Sequence, residues 1–261
     1  MATPNIIVMA GTADGRQIVG ELSKLDISVT ATVTTGFGSW LLSGLKGVEV
    51  CEGKLSSGDM VRLIEKMRAR CLVDATHPYA REASVNAIGA CEKAGIPYLR
   101  FERSEAGLVQ ENILLVNDFT EAAEQVARME GNIFLATGSN NLDVFVKRIP
   151  DYKNRLFARV LPDSRVMQKC EQAGLTAGNI FAAKGPFSEA MNIEMLKHCG
   201  ASVLVTKDSG EVGGTGDKLR AAQKLGITVV MVRRPDVNYP RKVDSIGGVV
   251  DFVKMCVERE N

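Results

Sequence analysis

The 261-residue sequence lacks most of the features that would tie it to a metal, a polyanion or a bilayer. It holds two histidines, His77 and His198, far apart in the chain, so no histidine-based metal cage is predicted. Its six cysteines (Cys51, Cys71, Cys91, Cys170, Cys199 and Cys256) include no C-x-x-C pair. That spacing argues against a zinc knuckle or a disulfide framework and predicts free, mostly buried thiols in a reducing compartment. Charge of neither sign is in excess: 32 Lys plus Arg oppose 31 Asp plus Glu, which leaves no general field to hold nucleic acid. No run reaches the ~18 apolar residues of a membrane helix, and "MATPNIIVMAG" opens without a basic leader. The expectation is a cytoplasmic protein without a membrane or nucleic-acid partner, monomeric or weakly dimeric.

What is present is the material of a globular α/β protein, with 45% hydrophobic and 24% charged residues. Strand patterns at "NIIVMA", "SVTATV", "GVEV", "CLVDAT" and "PYLRF" alternate with helical ones, as in a parallel sheet with crossover helices. One predicted helix places Met60, Leu63, Ile64 and Met67 at helical spacing behind a Ser56/Asp59 capping box. The next has Ala83, Ala87, Cys91 and Ala94 on one face, with Gly95 to end it. A second series follows Gly131, where "NIFLATGSNNL" repeats the plan of "NIIVMAGTADG", and strands follow at "RLFARV", "NIFAAK", "ASVLVTK" and "ITVVMV". Single cores tend to split beyond ~250 residues. The prediction is therefore an α/β protein of two Rossmann-like domains with mainly parallel sheets and a cleft between them. Residues 1–129 form the first domain, including a connecting helix over 118–129, and residues 130–261 form the second.

Ligands of such sheets collect at the carboxyl ends of strands, where strand order reverses. That rule selects residues 11–16, 34–39, 76–80, 137–141, 184–188, 207–214 and 233–235. The first of these, Gly11, Thr12, Ala13, Asp14, Gly15 and Arg16, is one glycine short of the dinucleotide fingerprint but stands in its place. Asp14 repels a phosphate set directly upon it, so it is expected to turn aside, with Arg16 available to compensate its charge. Thr35 follows the second strand with no Asp or Glu beside it, which leaves room for a 2′-phosphate and favours NADPH, with NADH possible. Thr76 and His77 end the fourth strand, facing the Gly11 turn in the order 3-2-1-4, and His77 and Tyr79 can orient a ring or a carboxylate there. His198 is assigned to structure. Lys207 and Asp208 bring a cation and a proton donor to one strand end, and Gly210, Gly213 and Gly214 allow close approach of the backbone.

Taken together and in this order, "GTADGR", "DATHPYA", "PYLRFER", "ATGS", "KGPFS" and "TKDSGEVGG" resemble the precorrin-6A reductases and their cobalt-precorrin counterparts of corrinoid synthesis. One departure is Lys184, which stands where the family pattern leads one to expect glutamine. The resemblance implies an NAD(P)H-dependent oxidoreductase that reduces the C18–C19 double bond of a tetrapyrrole rich in carboxylates. On that reading Asp208 and Lys207 are catalytic, and Gly11 to Arg16, Thr35, Thr76 and His77 bind the cofactor. Pro78, Tyr79, Arg100, Arg103, Thr137, Gly138, Ser139, Lys184, Ser209 and Gly210 bind substrate, and no metal is held by the protein. Two other readings stay open: an S-adenosylmethionine-dependent tetrapyrrole methyltransferase, and a nucleotide-binding module without catalysis.

Overall fold

The structure, a computed structural model, describes residues 3–103, 112–208 and 214–258. The chain first lays down β1 (Asn5–Met9), α1 (Ala13–Leu22), β2 (Ser28–Val33), α2 (Gly36–Leu42), β3 (Val48–Glu52), α3 (Ser57–Met67), β4 (Ala69–Asp74), α4 (Arg81–Ala94) and β5 (Tyr98–Phe101). It continues with β6 (Ile113–Val116), α5 (Phe119–Ala127), β7 (Asn132–Leu135), α6 (Leu142–Val146), α7 (Tyr152–Arg155), β8 (Leu156–Val160), α8 (Ser164–Gln172) and β9 (Ile180–Ala182). Then come α9 (Glu189–His198), β10 (Ala201–Lys207), α10 (Thr215–Lys224) and β11 (Thr228–Val232), and last β12 (Lys242–Val243) and α11 (Ile246–Glu258).

Two six-stranded sheets result, ordered β12-β5-β4-β1-β2-β3 and β6-β11-β10-β7-β8-β9, and every described pairing is parallel. Strand order reverses beside β1 in one sheet and beside β7 in the other, the switch point at which doubly wound folds bind ligands. The repeat visible in the sequence is therefore a repeat of topology. Loops after β1 and β4 have their counterparts after β7 and β10.

The expected boundary between residues 129 and 130 is corrected. The compact units are Met1–Ser104 with Asp236–Asn261, and Glu105–Pro235. Each sheet takes its outermost strand from chain beyond the expected limits: β6 pairs with β11, and β12 pairs with β5. Neither strand carries a readable signal, since β12 is two residues long and β6 exposes Leu114 and Leu115 in succession.

Alternation of side chains across the first sheet explains its two cores. Ile6, Val8 and Ala10 pack on Ile18, Val19 and Leu22 of α1 and on Val249, Phe252 and Val253 of α11. Ile7 and Met9 face the other way, onto Met60 and Ile64 of α3 and Ala87, Ala90 and Cys91 of α4. Helix α3 starts at the expected capping box, with Ser56 N–H donating to Asp59 at 3.0 Å and Asp59 N–H to Ser56 Oγ at 3.2 Å. Gly95 closes α4 in the left-handed conformation, φ 67°. The second sheet packs Phe134, Leu204, Val229 and Met231 against Met195 and Leu196 of α9 and Leu219 and Ala222 of α10. Among the described residues no helix is long and apolar enough to cross a membrane.

Candidate functional site

In the first unit the turn after β1 is built around Thr12. Its hydroxyl caps α1 by accepting from Gly15 N–H at 2.9 Å and donates to Ala75 C=O at 2.8 Å, fastening the β1 turn to the end of β4. Gly15 is required by packing, because a Cβ there would lie 2.8 Å from Ala10 Cα. Gly11 is different: a Cβ would meet nothing within 4 Å, so the space above this turn is open. The leading N–H groups of α1, at Ala13 and Asp14, have no acceptor within the helix, which suits the turn to an anion.

Asp14 is paired, but Arg16 is not its partner. Arg103 donates to Asp14 Oδ1 from Nε at 3.1 Å and from Nη2 at 2.8 Å. A residue expected to hold substrate thus neutralises the one carboxylate at the turn.

Below the Thr76 loop lies a buried polar network centred on Asp74. Its Oδ1 accepts from Thr76 N–H at 2.9 Å, Thr76 Oγ1 at 2.7 Å and Arg100 Nη1 at 2.9 Å. Its Oδ2 accepts from Ser84 Oγ at 2.6 Å and Tyr98 Oη at 2.7 Å. Arg100 also donates to Glu102 at 3.1 Å and lies 5.2 Å from the centre of the Tyr239 ring. Burial draws the Arg100 pKa down, but Asp74, Tyr239 and Glu102 outweigh it and hold the group above its ordinary value. The expected role of Arg100 in binding substrate is therefore corrected: its side chain is 1% exposed and its charge is answered inside the fold. The loop it supports leaves Thr76, His77, Pro78 and Tyr79 half-buried at the strand end. There His77 Nδ1 accepts from Tyr79 N–H at 3.3 Å, and the two rings lie 5.6 Å apart.

Thr35 caps the short helix α2, its hydroxyl accepting from Gly38 N–H at 3.2 Å. The acid absent from this stretch of sequence arrives from the neighbouring strand. Val33 pairs with Glu52, and both Glu52 carboxylate oxygens lie 3.6 Å from where a Cβ on Gly36 would be.

The second unit collects cations at the ends of β8, β10 and β11. Arg159 donates from Nη1 to Asn192 Oδ1 at 2.8 Å and lies 4.4 Å from the Phe187 ring centre and 5.6 Å from that of Phe134. Burial brings its guanidinium down to about 10. Burial lowers Lys207 as well. Lys218, 5% exposed on α10, is brought down to about 7 by burial and by the positive neighbours Arg159 and Lys207, against the opposite pull of Asp208. Among the described residues, no carboxylate lies within ion-pair distance of Arg159 or Lys218. Asp208 pairs instead with Arg234, 3.0 Å away. Thr137, at the end of β7, keeps a buried hydroxyl that no described group satisfies. Gly138 turns the chain there at φ 79°, Ser139 is half-buried, and Lys184 is exposed beyond β9. Ser209, Gly210 and Gly213 lie outside the described residues. The exposed His198 ring lies edge-on to Phe181, 5.8 Å between centroids.

The family described as "Precorrin-6x reductase CbiJ/CobK" matches residues 5–254. This chain belongs to that family. Among its curated relatives, a cobalt-precorrin-6A reductase of Priestia megaterium is 40% identical over 235 residues, covering 90% of this chain and 92% of that one. A second, from Methanothermobacter thermautotrophicus, is 39% identical over 239 residues, covering 90% and 78%. A solved precorrin-6A reductase structure superposes with a TM-score of 0.77 at 22% identity over 98% of both chains, a likeness of fold.

In this precorrin-6x reductase two candidate residues escaped the sequence reading. Lys218 looks like an ordinary helix-surface lysine and is found only when the burial of its face of α10 is known. Glu52 sits 17 residues after Thr35 by number, and only the pairing of β2 with β3 brings it to the α2 turn. Among the described residues no group of His, Cys, Asp and Glu is arranged to hold a metal ion.

Proposed function

We propose that the first unit holds a reduced nicotinamide dinucleotide and that the second holds the acidic edge of the macrocycle, for reduction of the C18–C19 double bond of cobalt-precorrin-6A to the 6B form. The observation that carries this reading is the set of buried cations at the β8 and β10 ends. Among the described residues Arg159 and Lys218 are desolvated with no carboxylate within ion-pair distance, an arrangement that an acetate- and propionate-bearing ring relieves. The cobalt form is chosen because both curated relatives described above carry that name.

The residues of the first unit fit a dinucleotide. Space over Gly11 is open, the first turn of α1 offers N–H groups, and Arg103 offsets the charge of Asp14. Thr12 and the Asp74 network hold the Gly11 and Thr76 loops in fixed register, and His77 and Tyr79 border the nicotinamide end. When bound, the reduced nicotinamide supplies a hydride, and the substrate π bond becomes one C–H bond by hydride and another, on the adjacent carbon, by a proton.

Lys207 binds a substrate carboxylate, with Arg159, Lys184 and Lys218 as further anchors and Thr137 Oγ1 as a hydrogen-bond partner. Asp208, oriented by Arg234, acts as an acceptor that positions the water delivering the proton.

The test is an anaerobic assay with metal-free and cobalt-loaded substrate, following loss of the reduced nicotinamide absorbance. Oxidation faster with the cobalt form supports the reading; none with either overturns it. For Asp208, the variant Asp208→Ala is expected to lower kcat at least tenfold, about 1.4 kcal/mol of barrier, and to alter the pH profile. Normal turnover with an unchanged profile would remove it from the mechanism.

A further inference from the structure

We infer that two copies of this chain associate through the outward side of α2, with the two helices antiparallel and packed around Trp40. No charged residue stands between Val33 and Lys46, and Trp40, the single tryptophan of the chain, is 68% exposed. Phe37 is 51% exposed and stacks on Trp40 with ring centres 5.9 Å apart, and Leu41 and Leu45 are each 37% exposed. The inward side of α2 is taken by Leu42, 1% exposed in the core with β1 and β2, and by Gly38, where a Cβ would come within 3.2 Å of Val33 Cβ. At about 100° per residue, Phe37, Trp40 and Leu41 fall together on one outward flank, while Ser39 and Ser43 take the other.

Size sets the strength of the contact. With aromatic side chains of roughly 150–250 Å² each, the stripe offers on the order of 300–400 Å² of apolar surface, the range in which a patch marks an interaction site. That is about half of one side of a standard interface, which suits a weak and reversible association. Charge selects the occupant. Both Glu52 carboxylate oxygens lie 3.6 Å from the Cβ position of Gly36, at the first turn of α2, and the exposed Lys46 follows the other end of the helix. Among the described residues neither has an ion-pair partner within the chain. When two copies meet about a two-fold axis with their α2 helices antiparallel, Glu52 of each faces Lys46 of the other, whereas a parallel arrangement sets like against like. A stripe with an acid at one end and a base at the other is thus complementary to itself, as an isologous contact requires. An anionic membrane calls instead for an excess of cations around the apolar face, and here the two ends balance.

Sedimentation velocity over a range of protein concentrations, read beside the fluorescence of Trp40, tests this. The wild type is expected to show a reversible monomer–dimer equilibrium with a micromolar dissociation constant, and the Trp40 emission maximum to move to shorter wavelength over the same range. Trp40→Glu should weaken association at least tenfold, with circular dichroism verifying the fold. Lys46→Glu and Glu52→Lys should each weaken it, and the two together should return the constant to within about threefold of wild type, a rescue that damage to the fold does not give. A wild type that is monomeric up to millimolar concentration, a dimer that Trp40→Glu leaves intact, or a charge-reversed double variant that stays monomeric would overturn the inference. So would a monomer whose Trp40 emission shifts only when vesicles of phosphatidylcholine and phosphatidylglycerol are added, which would mark the face as a lipid-binding one.

Discussion

Arg100 and Asp74 form an ion pair 2.9 Å long with side chains 1% and 0% exposed, directly beneath the Thr76 loop. The carboxylate takes five hydrogen bonds from four residues, one of the five from the Thr76 backbone N–H, so its charge is dispersed over fixed dipoles. Arg100→Met leaves that carboxylate buried without its cation, and a loss of about 3–5 kcal/mol is expected. Urea denaturation of Arg100→Met, Asp74→Asn and the double variant should give a coupling of about 1–3 kcal/mol. Additive losses would show that the two groups do not act as a pair.

The two glycines of the first turn should respond oppositely to a methyl group. Gly15→Ala drives a Cβ to 2.8 Å from Ala10 Cα, and overpacking of this kind destabilises by about 1–3 kcal/mol. Gly11→Ala has open space and should leave the melting temperature unchanged while weakening the dinucleotide about tenfold, or 1.4 kcal/mol. A Gly11→Ala protein that binds cofactor normally would separate this turn from the site.

Lys218 predicts a pH dependence of stability. Its folded pKa, about 7, lies below the ordinary lysine value of 10.5. Between these two values the unfolded chain binds the extra proton and the folded chain does not, so stability rises with pH across that window. Below pH 7 both states are protonated and the full penalty of burying the cation is present. Lys218→Met is expected to flatten this rise in thermal melts from pH 6 to pH 10 and to stabilise the protein near neutrality, by on the order of a few kcal/mol. The same variant should bind the tetrapyrrole more weakly. A parallel pH–stability curve for variant and wild type would count against the buried cation.

Arg103→Ala separates charge compensation from stability. The Arg103 side chain is 49% exposed, so losing its pair with Asp14 should change stability by less than about 1 kcal/mol. With Asp14 uncompensated at the phosphate turn, cofactor Kd should rise several-fold and the rise should shrink in high salt. An unaltered Kd at low salt would place the phosphates elsewhere.

The parts of this fold legible in the sequence are those written in local chemistry. The Ser56–Asp59 box, the Gly95 cap and the apolar strands declare themselves in runs of a few residues, and from those runs the order 3-2-1-4 and the Gly11 turn follow. What stayed hidden depends on which strands lie side by side. Arg103 reads as a free surface cation until the turn carrying Asp14 comes to it, and Arg100 until Asp74 is placed on the adjacent strand. Glu52 is invisible to any rule that searches only the residues following β2. The expected boundary between the two halves was misplaced for the same reason, since β6 and β12 owe their strand character to partners far away in the chain.

The return of the C-terminal segment to the first sheet has a consequence for how the chain is made. Val249, Phe252, Val253 and Cys256 of α11 fill the core under β1 and α1, yet they leave the ribosome after the whole of Glu105–Pro235. The stretch from Glu105 to Pro235 is unbroken and has all its strands once Pro235 emerges. Birth order and completion order are therefore inverted: the half begun first must wait, its hydrophobic floor uncovered, until the half begun second has already closed.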